Sequence, residues 1–247
     1  GRDDDRLRRD EAKEIPEFSG IAEIAAGTEH TCAIDNAGTI WCWGKNSYKQ
    51  QGAGDSETHN CQGQARAQND PQAGSYVAEP RIVRALGEMR GRNNVPSISA
   101  SWKTTCAVIS GSVWCWGNQS ANRGASFGST VSAGATTMTV SSDCPSVVPG
   151  IVSAVEVATG TYSSCARLED GSLWCWGRNA NGQLGRGGMG PSILPPGAVS
   201  NIDDALDIVA GDQHFCALLG DRTVSCWGDN SWGQIGDGTR VQRSFPA

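Results

Sequence analysis

Val209-Ala-Gly211-Asp-Gln-His214-Phe-Cys216-Ala-Leu218 and, beyond a short polar turn, Val224-Ser-Cys226-Trp227-Gly228-Asp-Asn230-Ser-Trp232-Gly233-Gln234-Ile-Gly236 are the two runs whose reading decides the fold. Each holds a cysteine, and the second closes on Trp-Gly and a glycine-rich loop. The same device stands three times upstream. Cys32/Cys42, Cys106/Cys115 and Cys165/Cys175 are spaced much like Cys216/Cys226, and Trp43, Trp116 and Trp176 each precede a glycine, as Trp227 does. Aligned on the first cysteine, Ile24, Ile98, Val157 and Ile208 fall eight residues before it, and Ala33, Ala107, Ala166 and Ala217 directly after it. Gly27, Gly160 and Gly211 fall five before it, with Ser101 the exception; Ile40, Val113, Leu173 and Val224 fall two before the second cysteine. Self-similarity on this scale marks a repeat architecture, in which no unit buries its apolar face alone.

Within each unit the pattern predicts an antiparallel hairpin. In the first, strand-like His30 to Ile34 and Thr39 to Trp43 flank the turn residues Asp35, Asn36, Ala37 and Gly38. Cys32 then stands opposite Cys42, at the roughly 4.5 to 5.5 Å Cα separation of directly opposed residues, which a disulfide accepts. The second unit is one residue shorter, with Ser110-Gly111 at the bend, and its cysteines still oppose each other. Four in-hairpin disulfides are therefore expected: Cys32–Cys42, Cys106–Cys115, Cys165–Cys175 and Cys216–Cys226. The connections from Gly44 to Ile98 and from Gly117 to Val157 are longer than that from Gly177 to Ile208. Cys61 lies in the first long connection and Cys144 in the second. Units packed side by side bring these excursions together, so a structural disulfide Cys61–Cys144 is expected; a free reactive thiol pair is the alternative.

The chain has 247 residues, 38 per cent of them hydrophobic, enough for a continuous core. Thirty-two glycines against three methionines point to turn-rich β structure, because glycine destabilises helix interiors and supplies positive φ in turns. Twenty Lys and Arg against 26 Asp and Glu leave a formal charge of −6, which offers phosphate backbones no broad attraction, so no nucleic-acid partner is expected. No apolar run approaches the ~20 residues that span a bilayer, so no membrane insertion is expected either. Ten cysteines in even number point to an extracellular, cell-surface or periplasmic location, where disulfides persist. The chain opens on Gly1 without a secretory apolar stretch and reads as processed or excerpted. Residues 1–15, with Asp3 to Asp5 and Arg6, Arg8 and Arg9, read as a solvated polar arm. Residues 16–247 read as the repeat domain, with four units centred on 20–52, 95–124, 152–186 and 202–239.

The runs quoted first, together with Gly177-Arg-Asn179-Ala-Asn-Gly182-Gln183-Leu-Gly185, resemble repeats of the regulator of chromosome condensation family over about residues 16 to 246. The resemblance implies four-stranded blades around a central axis, usually seven of them. Short strands and periodic Gly/aromatic motifs are independently the cues of a propeller. The expected fold is thus all-β, a β-propeller or propeller arc of about four blades, each a small antiparallel sheet. Family members serve as nucleotide-exchange factors or as inhibitors that cap enzymes. The chain departs from the family in three ways. Units one and two read Asn46-Ser-Tyr-Lys-Gln-Gln-Gly52 and Gln119-Ser-Ala-Asn-Arg-Gly124, as though the Asn-x-x-Gly-Gln-Leu-Gly loop were lost. The cysteine pairs are an addition. Only four units lie between Pro16 and Pro246, with Pro246 where a fifth would begin. A four-bladed ring turns about 90° per blade and a seven-bladed one about 51°. Repeats this close to the family's pattern favour the shallower turn, hence an open arc with an apolar blade face bare at each end; a closed four-bladed ring is the alternative.

Catalytic patterns occur but fail in context. Gly185-Arg-Gly187-Gly-Met-Gly190 has dinucleotide-fingerprint spacing yet runs into Pro191 rather than a helix. Gly124-Ala-Ser126-Phe-Gly128 matches a nucleophile elbow without the strand-turn-helix that presents its serine, so a hydrolase using Ser126 is the remotest reading. His30 and His214 occupy one repeat position and read as structural, bonding backbone within the blade. His59 beside Cys61 reads as chance proximity, and no Cys-x-x-Cys knuckle offers a zinc site. Asp203 and Asp204 lack the alternating oxygen pattern of a calcium loop, and Asn118-Gln-Ser120 is a glycosylation sequon. No cofactor and no metal are expected. Trp41, Trp114 and Trp174, replaced by Ser225 in unit four, read as filling between blades. Tyr48, Tyr76, Trp102 and Trp232 break the repeat and are the interface candidates, because packing symmetry does not demand them. The function expected is a non-enzymatic extracytoplasmic module that binds a protein partner or further copies of itself; the alternative is a structural subunit polymerising through open blade edges.

Overall fold

Period-two alternation along each hairpin sends its two cysteines to one face, and the strands that follow extend the hairpin into a meander. A computed structural model of the chain describes residues 14–15, 18–48, 50–52, 76–83, 97–117, 130–132, 137–139 and 145–247. The first blade is the antiparallel sheet β1(Ile21–Ala26), β2(His30–Asp35), β3(Ile40–Lys45) and β4(Tyr76–Ile82), in that order. The second is β5(Ile98–Ala100), β6(Thr104–Ile109) and β7(Ser112–Gly117). A separate hairpin, β8(Thr130–Ser132) and β9(Thr137–Thr139), follows in sequence, and then β10(Ser146–Val147) completes the second blade at its outer edge. The third is β11(Ala154–Thr159), β12(Ser163–Leu168), β13(Leu173–Asn179) and β14(Gly190–Ala198). The fourth is β15(Ala205–Ala210), β16(His214–Leu219) and β17(Val224–Gly228).

The fourth place in the last blade is taken by residues 243–247. Gly228 and Arg243 exchange backbone hydrogen bonds of 2.8 and 3.0 Å, and Cys226 and Ala247 exchange bonds of 3.0 and 3.1 Å. Pro246 therefore lies beside β17 in the outer strand of the fourth blade and does not open a fifth unit.

Cys32 pairs with Cys42, Cys106 with Cys115, Cys165 with Cys175 and Cys216 with Cys226 in the strand register, and each pair is a disulfide with a Cα separation of 4.1 Å. The shortened second hairpin turns through Ser110 and Gly111, both left-handed at φ 53° and 77°, as a two-residue hairpin turn requires. The repeated Trp-Gly has a steric cause. A Cβ on Gly44, Gly117, Gly177 or Gly228 would come within 2.6, 2.3, 2.5 or 2.6 Å of the carbonyl oxygen of Glu29, Lys103, Tyr162 or Gln213 across the ladder. Cys61, Cys144, Asn118, Ser126, His59 and residues 1–13 lie outside the described residues.

Among the described residues no blade has a core of its own. Each blade has a leading face toward the next blade and a trailing face toward the one before. Cys32, Ile34, Ile40 and Cys42 on the leading face of blade one pack with Ile98, Ala107, Ile109 and Trp116 of blade two. Cys106, Val108, Val113 and Cys115 pack likewise with Val157, Ala166, Leu168 and Trp176 of blade three. Cys165, Leu173 and Cys175 then meet Ile208, Phe215, Ala217 and Trp227 of blade four. Among the described residues no such cluster joins blade four to blade one. The bare faces show it: Ile24 is 69% exposed where Ile98, Val157 and Ile208 are 3–4%, and Val224 is 63% exposed where Ile40, Val113 and Leu173 are 0–3%. The four blades thus form an arc with an apolar face uncovered at each end.

His30 is buried, and its Nε2 makes a 2.8 Å hydrogen bond with Thr105 Oγ1 of the next blade, not with backbone of its own. Burial pushes its pKa down to about 4, against a smaller opposing pull from Glu29. Trp114 and Trp174 pack half-buried against the inter-blade clusters, whereas Trp41 donates its indole N–H to Asp35 Oδ2 at 3.1 Å.

Candidate protein-binding face

Loops that follow the first and third strands of every blade emerge on one side of the arc, and three of them share one internal frame. Asn46, Asn179 and Asn230, directly after the Trp-Gly residues plus one, each turn Oδ1 back to accept the backbone N–H five residues on, from Gln51, Leu184 and Ile235 at 3.1, 3.0 and 3.0 Å. Gln50, Gln183 and Gln234 each offer Oε1 to the N–H two residues earlier, of Tyr48, Asn181 and Trp232, at 2.9, 2.8 and 2.8 Å. The first unit therefore keeps the family loop, contrary to the sequence expectation. Asn46 and Gln50 hold it while the glycine and leucine positions have changed.

The glutamine also ties the loop to the next blade. The backbone carbonyl of Gln50 accepts the Trp116 indole N–H at 2.9 Å and that of Gln183 accepts the Trp227 indole at 3.0 Å. Gly52 and Gly185 complete the fit, since a Cβ there would stand 3.1 Å from Trp116 Nε1 and 2.8 Å from Trp227 Nε1. Buried amides thus fix the loops rigidly to the scaffold, and the residues at their tips, Tyr48, Asn181 and Trp232, face outward.

Across this side of the arc partly exposed groups touch from blade to blade. Lys103 of blade two places Nζ 3.8 Å from the centre of the Tyr48 ring of blade one and 3.4 Å from that of Trp102. Trp102 meets Tyr162 of blade three edge to face at 6.2 Å, and the Arg178 guanidinium stands 5.5 Å over Tyr162. Asn181 Nδ2 donates to Gln213 Oε1 of blade four at 2.8 Å. Trp232, 84% exposed, stands at the loop tip of that blade. Three of the four interface candidates, Tyr48, Trp102 and Trp232, are thus on one face. Tyr76 opens β4 with its backbone opposite Lys45, at the same end of the sheet. Lys103, Tyr162 and Arg178 were missed in sequence, although Lys103 and Tyr162 share one repeat position, three before the first cysteine.

The charges on this face are held in place. Lys45 pairs with Glu29 at 2.8 Å. The Asp237 carboxylate is held well below its ordinary range by the Thr239 hydroxyl and amide and by Arg243. Burial pushes Asp229 up, but hydrogen bonds from Ser231, Gln242 and Gln234 outweigh it, so its pKa is lowered. Elsewhere, Asp204 Oδ2 accepts the Gly220 N–H at 3.2 Å on the hairpin side of the arc. The glycine run after Gly185 leads into strand β14 and not into a helix, and Arg186 within it donates to the Pro195 carbonyl at 2.8 Å. Such a surface has the makings of a protein contact: aromatic and cationic groups on a rigid support.

Comparison with known proteins agrees with this geometry. The family model of the regulator of chromosome condensation (RCC1) repeat matches residues 21–50, 154–183 and 206–234, and a second model of the same repeat matches 170–218. The chain is similar to the human E3 ubiquitin-protein ligase HERC2, 27% identical over 253 residues that span 98% of this chain and 5% of HERC2. Among solved structures it is similar to human WBSCR16, with a TM-score of 0.69 at 19% identity over 94% of this chain and 53% of that one. It is also similar to Prp20p of Saccharomyces cerevisiae, studied with its binding to Gsp1p and histones, with a TM-score of 0.64 at 24% identity over 92% of this chain and 50% of that one. The chain thus spans about half of the solved propellers it matches and a small part of HERC2. With its registered repeats, its four antiparallel blades and these matches, the chain carries repeats of the regulator of chromosome condensation type arranged as β-propeller blades.

Proposed function

We propose that the chain is a non-enzymatic protein-binding module of the extracytoplasmic space, which engages its partner through the loop face bearing Tyr48, Trp102, Lys103, Tyr162 and Trp232. The single observation that carries this reading is the row of aromatic and cationic groups running across blades one to three, with Trp232 of blade four 84% exposed at the loop tip on the same side. A large aromatic left in water at a fixed loop tip is typical of an interface anchor. Protein binding by the similar Prp20p supports the reading in kind, without naming the partner. The four disulfides support the compartment, since such bonds persist where the milieu is oxidising.

Affinity capture from the extracytoplasmic fraction of the source cells tests the face, with wild type compared against the double variant Trp102→Ala, Trp232→Ala. A protein retained by wild type and lost from an equally stable variant is expected; a partner indifferent to both changes would move the site elsewhere. Alkylation of thiols in intact source cells tests the compartment, and free Cys165 and Cys175 would overturn it. A second reading, self-association through the end blades, is favoured by the bare apolar faces marked by Ile24 and Val224.

A further inference from the structure

The two uncovered faces carry the same parts as the internal joints. In the joint of blades one and two, the trailing face brings Ile98, Thr105 and Trp116, and the leading face brings His30, Gln50 and Gly52. His30 Nε2 meets Thr105 Oγ1 at 2.8 Å, and Trp116 Nε1 donates to the Gln50 carbonyl at 2.9 Å. At the corresponding positions the leading face of blade four carries His214, Gln234 and Gly236, with Val209 and Val224 exposed at 56 and 63%. A Cβ on Gly236 would meet nothing within 4 Å, whereas one on Gly52 would press on Trp116. The trailing face of blade one carries Ile24, 69% exposed, with Thr31 and Trp43 partly exposed. Phe18 lies edge-on against Trp41 and Trp43 at 5.7 and 5.6 Å and leaves Ile24 uncovered.

The polar positions show which face fits which. Two residues before the first cysteine stand His30, Thr104, Ser163 and His214; directly before it stand Thr31, Thr105, Ser164 and Phe215. In the joint of blades one and two the first kind of residue meets the second kind from the following blade. His30 has taken Thr105. The histidine left over is His214, and the threonine left over is Thr31.

We propose that these two belong together across copies: a second copy of this chain seats the trailing face of its first blade on the leading face of the fourth, and two such joints close eight blades into a ring. The contact continues the established inter-blade interface, with His214 on Thr31, the Gln234 carbonyl on the Trp43 indole, and Ile24 against Val209 and Val224. It rests on the self-association reading and is independent of the loop face. Two copies supply eight blades, and a ring of eight turns about 45° per blade, near the roughly 51° of a seven-bladed ring. Eight blades lie within the known range, and a head-to-tail contact gives a finite ring when its rotation closes.

Light scattering coupled to size exclusion on the 247-residue chain is the test. Wild type is expected at the mass of two chains. Ile24→Arg and Val224→Arg, both at exposed positions and so expected to fold, should each run as monomers with unchanged melting. Mixed together they should associate again, because one joint of the mixed pair has both faces intact. His214→Ala and Thr31→Ala should each weaken the dimer by roughly fivefold to hundredfold, the loss of one hydrogen bond in each of the two joints, and the double variant no further. A monomeric wild type would overturn both the ring and the self-association reading. A dimer that survives either arginine variant, or variants that do not complement, would overturn the joint alone. A ladder of growing masses would overturn the closure.

Discussion

Trp227 of blade four donates its indole N–H to the backbone carbonyl of Gln183 in the loop of blade three, at 3.0 Å. Trp116 makes the same bond to Gln50 at 2.9 Å, but there the Thr105 hydroxyl donates to that carbonyl as well, at 3.0 Å. Phe215 stands at the position of Thr105 in blade four and has no donor to offer. Trp227→Phe should therefore cost about 1 to 3 kcal/mol, the penalty of a buried acceptor without its donor, and Trp116→Phe clearly less. Urea denaturation of the two variants checks the order, and equal losses would refute it.

His30 makes stability depend on pH. Its pKa falls from 6.5 to about 4 on folding, so between those values the unfolded chain binds more protons than the native one. The stabilisation is complete above pH 6.5 and drains away as pH drops toward 4, by up to about 3 kcal/mol at 1.36 kcal/mol per unit. His30→Gln should flatten most of that slope. A smaller slope of the same sign should remain from His214, which burial also lowers against the pull of Asp229 and Asp212. Melting temperatures measured from pH 4 to 8 decide it, and an undiminished slope in the variant would remove His30 from the account.

The disulfides should not reduce together. Cys32, Cys106 and Cys165 are fully buried in joints, whereas Cys216 is partly exposed on the uncovered face of blade four. Under graded reductant the monomeric Ile24→Arg variant should open Cys216–Cys226 first, with a loss of about 2 to 3 kcal/mol on the chain-entropy account of a short closed loop. Alkylation and peptide mapping at each step would show the order. Opening of Cys165–Cys175 first would contradict it.

Asn230 and Trp232 should separate stability from recognition. Asn230 accepts the Ile235 N–H at 3.0 Å and donates to the Thr239 and Val241 carbonyls, each at 3.1 Å, while buried. Asn230→Ala should lower stability by about 1 to 3 kcal/mol. Trp232→Ala should leave the melting temperature within a degree or two and weaken partner binding. A stability loss in Trp232→Ala as large as in Asn230→Ala would place the tryptophan in the scaffold.

The hairpins and their cysteine register were legible because period-two alternation and turn length fix which residues oppose each other, as at Cys32 and Cys42. The loop of unit one was not. Its reading gave weight to the glycine and leucine of the family pattern, which Lys49 and Gln51 replace, whereas the amides of Asn46 and Gln50 hold the frame. Contacts between blades were hidden for a different reason. His30 and Thr105, or Tyr48 and Lys103, are brought together only by the packing of one sheet on the next, and no local pattern in the chain records that placement. The aromatics Tyr48, Trp102 and Trp232 stood out as departures from the repeat, but the cation between two of them did not.

Because every core is split between two blades and each blade presents the same pair of faces, the blades are interchangeable parts. Duplicating one in the gene would insert a unit whose trailing face fits its predecessor and whose leading face fits its successor, with no compensating change on either side. Ring size in such a protein is therefore a matter of copy number and accumulated curvature, not of redesigned contacts. Evolution can lengthen or shorten the arc one hairpin pair at a time, while the Trp-Gly glycine and the cysteine pair are inherited with each copy.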